Sequence, residues 1–249
     1  NNDHEQDAVK KAEDDKKKAA EDARKAAEAK AKADAEAKKA AEETLTSISG
    51  IRLWLDASIY KGKDNAKISK WDASTKDKEF FFQNTSNNQN TYPIVVDNAL
   101  NKLPVLDFRT FQTMELNKNI SSEDYTFVFL ARQMGGTNRR FLIGNGNKLL
   151  GYWNGAKDQL HMEGWISPTP GNPASYKEWD LYSIRRTKGK TTMARFGEIF
   201  ANEVAAGTGF DGLYINKGGC CGGETSDGQL AEVVLWDRSI SNEELNKVQ

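Results

Sequence analysis

Residues 5–44 contain neither glycine nor proline and are built almost entirely of Ala, Lys, Glu and Asp. Such a stretch favours the helix at nearly every position. Acid-before-base pairs at i, i+4 recur in the favourable orientation: Asp7–Lys11, Glu13–Lys17, Asp14–Lys18, Glu21–Lys25, Glu28–Lys32 and Asp34–Lys38. The pattern predicts a helical rod over residues 1–46, with forty residues spanning roughly 60 Å at ~1.5 Å each. A helix that is polar all round buries little, so any globular core must come from the remainder of the chain.

Ala12, Ala19, Ala26, Ala33 and Ala40 fall on a strict seven-residue repeat. Three residues after each stand Asp15, Asp22, Ala29, Glu36 and Glu43, which supply no second apolar position. An alanine seam removes little area from water. The sequence leaves three arrangements open: a solvated helix, a helix laid along another protein through these alanines, or an oligomeric stalk.

From Thr44 to Gly50 the composition changes, and the chain beyond consists of short apolar segments separated by turn residues. Ile51, Leu53 and Leu55 alternate with Arg52, Trp54 and Asp56, a period-two strand. Tyr125–Ala131 is aromatic, β-branched and unbroken, as a central strand should be. Hairpins are expected around 144–147, at Asn154-Gly155 and at Lys188-Gly189, because these residues accept positive φ. The chain closes with a buried strand over Leu230–Trp236. A capping box at Ser241 and Glu244 then starts a short helix that turns Leu245 and Val248 inward. About twelve strands with turn signals every eight to fifteen residues predict an all-β antiparallel sandwich over residues 47–249.

Ile51–Ala57 and Gln229–Leu245 resemble the two ends of concanavalin A-like lectin/glucanase domains of the laminin-G type. Trp179-Asp-Leu-Tyr-Ser-Ile-Arg-Arg186 resembles an internal strand of that family, although the hairpin at Phe196-Gly197 departs from its pattern. The resemblance implies a jelly roll of two packed antiparallel sheets. It leaves function open, since this sandwich serves lectins, hydrolases, adhesins and structural modules.

The formal net charge is −1, divided as −2 over residues 1–45 and +1 over the rest, so neither part attracts nucleic acid or an anionic membrane. No apolar run reaches the length of a membrane span. The sequence begins with Asn1 rather than Met, so an upstream segment is expected to have been cut off or left out, and whether it was a signal or an anchor stays open. Cys220 and Cys221 are adjacent and lack the two-residue spacing of metal or redox pairs, so they read as two thiols in a glycine-rich loop.

Retaining glucanases that share the implied fold carry three alternating acids on one strand. Here Glu178-Trp179-Asp180-Leu181-Tyr182 has tyrosine in the third place, and Glu178 and Asp180 are expected on the solvent face. His4 and His161 are the two histidines, too few for a triad or zinc cluster. No enzymatic activity is expected.

Sugar recognition needs an aromatic face together with amides or carboxylates on loops. Trp153, Asn154, Trp165, Tyr176 and Asp211 are the candidates, each equally readable as part of the fold. The resemblance brings calcium into view at Asp211 or Asp227, but no run of carboxylates marks a site, and no cofactor is expected. The leading expectation is a non-catalytic structural or attachment module of a larger assembly (a virion, a fibre or a surface layer), which displays a lectin-like sandwich on a helical rod. Such a module would sit on a virion or at an extracellular or cell surface. The alternatives are a glycan-binding lectin and a divergent glycoside hydrolase.

Overall fold

The computed structural model describes residues 2–217 and 223–249, with side chains from residue 9 onward, so Cys220, Cys221 and the His4 side chain lie outside the described residues. The chain divides into two compact units, Asn1–Ser47 and Ile48–Gln249.

The first unit is one helix, Asn2–Ser47, about 69 Å long at 1.5 Å per residue. Residues 9–43 are exposed throughout, Ala12, Ala19, Ala26, Ala33 and Ala40 included. Glu21–Lys25 closes in the acid-first sense at 2.9 Å, whereas Lys30–Asp34 at 3.2 Å and Lys39–Glu43 at 3.8 Å run base-first. Exposed pairs of this kind contribute a few tenths of a kcal/mol each, about 0.3–0.5. No helix among the described residues is long and apolar enough to cross a membrane.

The second unit is an antiparallel sandwich. One eight-stranded sheet runs in the order Glu198–Val204, Lys190–Arg195, Asp180–Thr187, Tyr125–Gly135, Asp227–Trp236, Leu103–Phe108, Ile94–Leu100. Ile51–Asp56 also pairs with Asp227–Trp236. The other sheet runs Asn172–Pro173, Ala156–Met162, Lys148–Trp153, Leu142–Gly144, Tyr214–Ile215, Met114–Leu116, Phe81–Gln83, Lys70–Asp72. A two-stranded ribbon, Phe210–Asp211 with Ser121–Ser122, sits at one end.

Alternation decides which side chains face inward. Leu53, Phe127, Phe129, Leu230 and Val233 from the first sheet share one core with Phe82, Leu142, Leu150 and Leu160 from the second. Tyr152 meets Tyr182 edge-on across the layers at 5.8 Å, as Phe108 meets Phe141. Each such side chain contributes about 1.5–3 kcal/mol on burial.

The closing stretch folds much as its residues require. Asp227–Trp236 lies centrally, between Tyr125–Gly135 and Leu103–Phe108. The Ser241/Glu244 capping box forms and starts the helix Asn242–Val248. Leu245 and Val248 are only half-buried rather than inward, because this seven-residue helix lies at the surface.

The strand registers define two ends of the sandwich. Phe108, Gly135, Asp180 and Asp227 align at one end through Asp227↔Gly135, Gly228↔Phe108 and Asp180↔Ala131. Trp153 and Ile215 join them there, since the neighbouring Tyr152 donates to Asp180 and Asn216 donates to the Arg109 carbonyl. The loops 109–113, 135–141, 153–156, 173–179 and 196–197 all emerge at this end.

Candidate ligand-binding loops

Asn154 and Gly155, at φ 52° and 78°, form the two-residue turn between Trp153 and Ala156. Asn154 is thereby exposed and Trp153 half-buried. The Gly155 carbonyl accepts the Ala174 amide at 2.9 Å, which draws the 173–178 loop alongside. From the 135–141 loop, Asn138 donates its amide to the Tyr176 hydroxyl at 2.9 Å. A Cβ on residue 155 would stand 2.6 Å from that amide nitrogen, so glycine is needed both for the turn and for this approach. The Asn138 Oδ1 is buried and makes no hydrogen bond among the described residues.

Trp153 is a support more than an open platform. The guanidinium of Arg139 lies 5.5 Å from its ring centroid and that of Arg140 5.2 Å, both in cation–π contact. Tyr176 is the open ring of the group, 44% exposed.

The structure therefore brings together Trp153, Asn154 and Tyr176, and separates Trp165 and Asp211 from them. Trp165, 38% exposed, packs edge-on against His161 at the opposite end, where His161 Nδ1 lies 2.7 Å from the Asn147 carbonyl oxygen. Asp211 also belongs to that end. It accepts from Asn119 Nδ2 at 2.5 Å, Asn145 Nδ2 at 3.1 Å and Ser121 Oγ at 3.2 Å. These bonds, the Asn119 one foremost, hold its carboxyl below the usual range. All three bonds fall on Oδ1, which joins the ribbon to the 144–147 turn. The five nominated residues are thus not one site, because strand direction sends their loops to opposite ends of the sandwich.

Asp227, the other carboxylate considered for calcium, accepts the Thr110 amide at 2.7 Å and pairs with Arg109 at 3.4 Å. No group of three or more His, Cys, Asp or Glu side chains among the described residues could hold a metal ion.

Glu178 and Asp180 do not share a solvent face. Glu178 is exposed and pairs with Lys157 at 3.9 Å, while Asp180 lies in the core because its parity matches Tyr182. Tyr152 donates to Asp180 at 2.8 Å, and burial pushes that carboxyl upward against the pull of Tyr152, Lys157 and Arg195. Nearby, Asp158 accepts from Arg195 Nε at 2.7 Å, Asn172 Nδ2 at 2.7 Å and the Tyr182 hydroxyl at 2.9 Å. Burial also raises the Tyr152 and Tyr182 hydroxyls well above their ordinary value. Each carboxylate of this pair is buried and engaged by neighbouring side chains.

Sequence reasoning passed over Phe111, Asn138 and Arg139. The signal at Phe111 was a bulky apolar residue inside a turn. Asn138 follows Gly135-Gly136-Thr137 and could have been read as an amide on a loop.

No family model matches this sequence, and no curated protein does. Among solved structures the chain is similar to domain 4 of AbnA, an extracellular GH43 arabinanase from Geobacillus stearothermophilus, in complex with arabinotriose. The TM-score there is 0.59 at 10% identity, covering 80% of this chain and 98% of that one. It is also similar to Trypanosoma rangeli sialidase in complex with sialic acid, with a TM-score of 0.55 at 14% identity, covering 84% of this chain and 36% of that one. A third is the binding domain of Paraclostridial Mosquitocidal Protein 1, with a TM-score of 0.51 at 12% identity, covering 80% of this chain and 51% of that one. The chain thus spans about a third of the sialidase and about half of the mosquitocidal domain. At these identities the likeness is one of fold.

Proposed function

We propose that the sandwich is a non-catalytic, concanavalin A-like carbohydrate-binding domain, and that the helical rod attaches it to a larger assembly. The observation that carries the binding reading is Tyr176. It is an open aromatic ring, held by its hydroxyl to Asn138, whose chain neighbour Arg139 lays its guanidinium over Trp153. An aromatic face stacks on the C–H patches of a sugar while amides and guanidinium bond its hydroxyls. The fold likeness to a domain solved with arabinotriose is consistent with this reading. The non-catalytic part is supported by Glu178 and Asp180 not sharing a face, and by the buried pair Asp158 and Asp180 being engaged by Tyr152, Tyr182 and Arg195.

A glycan array probed with the protein, in calcium and in chelator, tests the reading. At least one glycan class is expected to bind, with Tyr176→Ala weakening it tenfold or more. An array with no signal in either condition would overturn it. The rod's role is tested separately: a chain lacking residues 1–46 is expected to lose incorporation into its assembly. Full incorporation of that truncated chain would remove the role.

A further inference from the structure

Arg109–Gln112 is a tight turn in which the Gln112 amide donates to the Arg109 carbonyl at 2.7 Å. Phe111 occupies its third position at φ 76°, where turns of this kind favour glycine or asparagine, yet its side chain is 74% exposed. A bulky residue held there without burial is an outlier that packing does not explain. The turn is fixed from several directions. Asp227 accepts the Thr110 amide and hydroxyl at 2.7 and 3.2 Å. Asn216, fully buried, donates to the carbonyls of both Arg109 and Gln112 at 3.0 and 3.1 Å. The Gln112 side chain accepts the Arg109 amide at 2.8 Å. The chain therefore holds a solvent-facing phenylalanine in a rigid frame.

The two segments of that frame lead into one polar groove, whose lining begins two residues after Phe111 and does not include its ring. Thr113 follows Gln112 and Lys217 follows Asn216. With Gln83, Thr85, Ser86 and Glu115 they line a space of about 220 Å³. This lies below the roughly 300–1,000 Å³ of drug-sized sites, so it suits one small ring. The lining offers an amide, hydroxyls and a carboxylate. The Lys217 ammonium already pairs with Glu115 and lies 5.4 Å from the Tyr214 ring centroid, so its charge is compensated. An uncharged polyhydroxylated ring fits these groups better than an anionic one.

We propose that Phe111 and this groove form a subsite for one neutral monosaccharide unit of a glycan, separate from the Tyr176 loops. The proposal rests on the carbohydrate-binding reading above. The ring stacks on the sugar's C–H face, and Gln83, Thr113 and Glu115 bond its hydroxyls.

The test uses the full chain on an array of neutral glycans that includes arabinotriose, with wild type, Phe111→Gly, Gln83→Ala and Tyr176→Ala compared. Phe111→Gly and Gln83→Ala are each expected to weaken binding at least tenfold. The thermal midpoint of Phe111→Gly should be unchanged or higher, since glycine suits that backbone. Titration of the best-bound monosaccharide should shift the Thr113 and Lys217 backbone amides. Binding by both groove variants within twofold of wild type would overturn the subsite and leave the Tyr176 reading standing. A wild-type chain that bound no glycan would overturn both.

Discussion

At the scale of single residues, Asp158 shows how a charge is kept inside the sandwich. Gly151 pairs with Gln159 and Tyr152 with Lys157, so Asp158 is the extra residue of a β-bulge, with φ 64°. The bulge turns its carboxylate toward Arg195, Tyr182 and Asn172. Arg195→Met should cost about 3–5 kcal/mol, because it leaves a buried carboxylate without its countercharge. Urea denaturation would measure that loss, and a change below about 1 kcal/mol would mean the guanidinium is not needed there. Phe111 is the converse case, a residue whose backbone conformation costs on the order of 1–3 kcal/mol and whose ring has no packing to offset it.

At the scale of elements, the terminal helix Asn242–Val248 depends on its first turn. Ser241 Oγ accepts the Glu244 amide at 3.1 Å, and Glu244 accepts the Ser241 amide at 2.8 Å. Arg238 binds the same carboxylate at 2.6 Å and donates Nε to the Ser49 carbonyl at 2.7 Å, which ties the helix start to the start of the sandwich. Ser241→Ala should destabilise by about 1 kcal/mol, read from the shift in unfolding midpoint. The Glu244 carboxyl is pulled down to about 2, first by Arg238 and then by the Ser241 amide. With an unfolded value of about 4.3, its contribution is complete above that pH and is lost as pH falls through about 2. Amide exchange of residues 242–248 should therefore accelerate over that acid window, and Glu244→Gln should abolish the pH dependence while leaving the helix weaker at neutral pH.

At the scale of the whole molecule, the two units differ in what stabilises them. Residues 9–43 of the long helix are exposed, whereas the sandwich has one continuous core. Helicity followed at 222 nm should fall broadly and at lower temperature than the cooperative loss of tryptophan fluorescence, since a solvated helix unfolds turn by turn. A single coincident transition in dilute solution would mean that the helix is buried against something.

Much of this architecture was written locally. The Ala/Lys/Glu run specifies its helix with no outside help. Asn154-Gly155 and Lys188-Gly189 specify their turns because few other residues accept those angles, and Ser241/Glu244 specify a cap through bonds spanning three residues. An unbroken aromatic and β-branched run marked Tyr125–Ala131 as a central strand. The candidate site was legible only in part. Asn154 and Tyr176 could be named from their surroundings in the chain, but Asn138, which joins Tyr176 to the Gly155 turn, lies 38 residues away from that tyrosine. Asp180 looked like a surface acid because a carboxylate in a strand usually is one, and the hydroxyl of Tyr152 with the charges of Lys157 and Arg195, brought from other strands, makes its burial tolerable.

The sequence by itself thus determined what depends on neighbours within a turn or two: the rod, the hairpins, the cap and the sandwich class. The tertiary structure alone decided which loops share an end of the sandwich, because that depends on strand direction and register across the sheets. Those pairings separate Asp211 and Trp165 from Trp153 and Tyr176, and they place Phe111 and its groove at the same end as Tyr176.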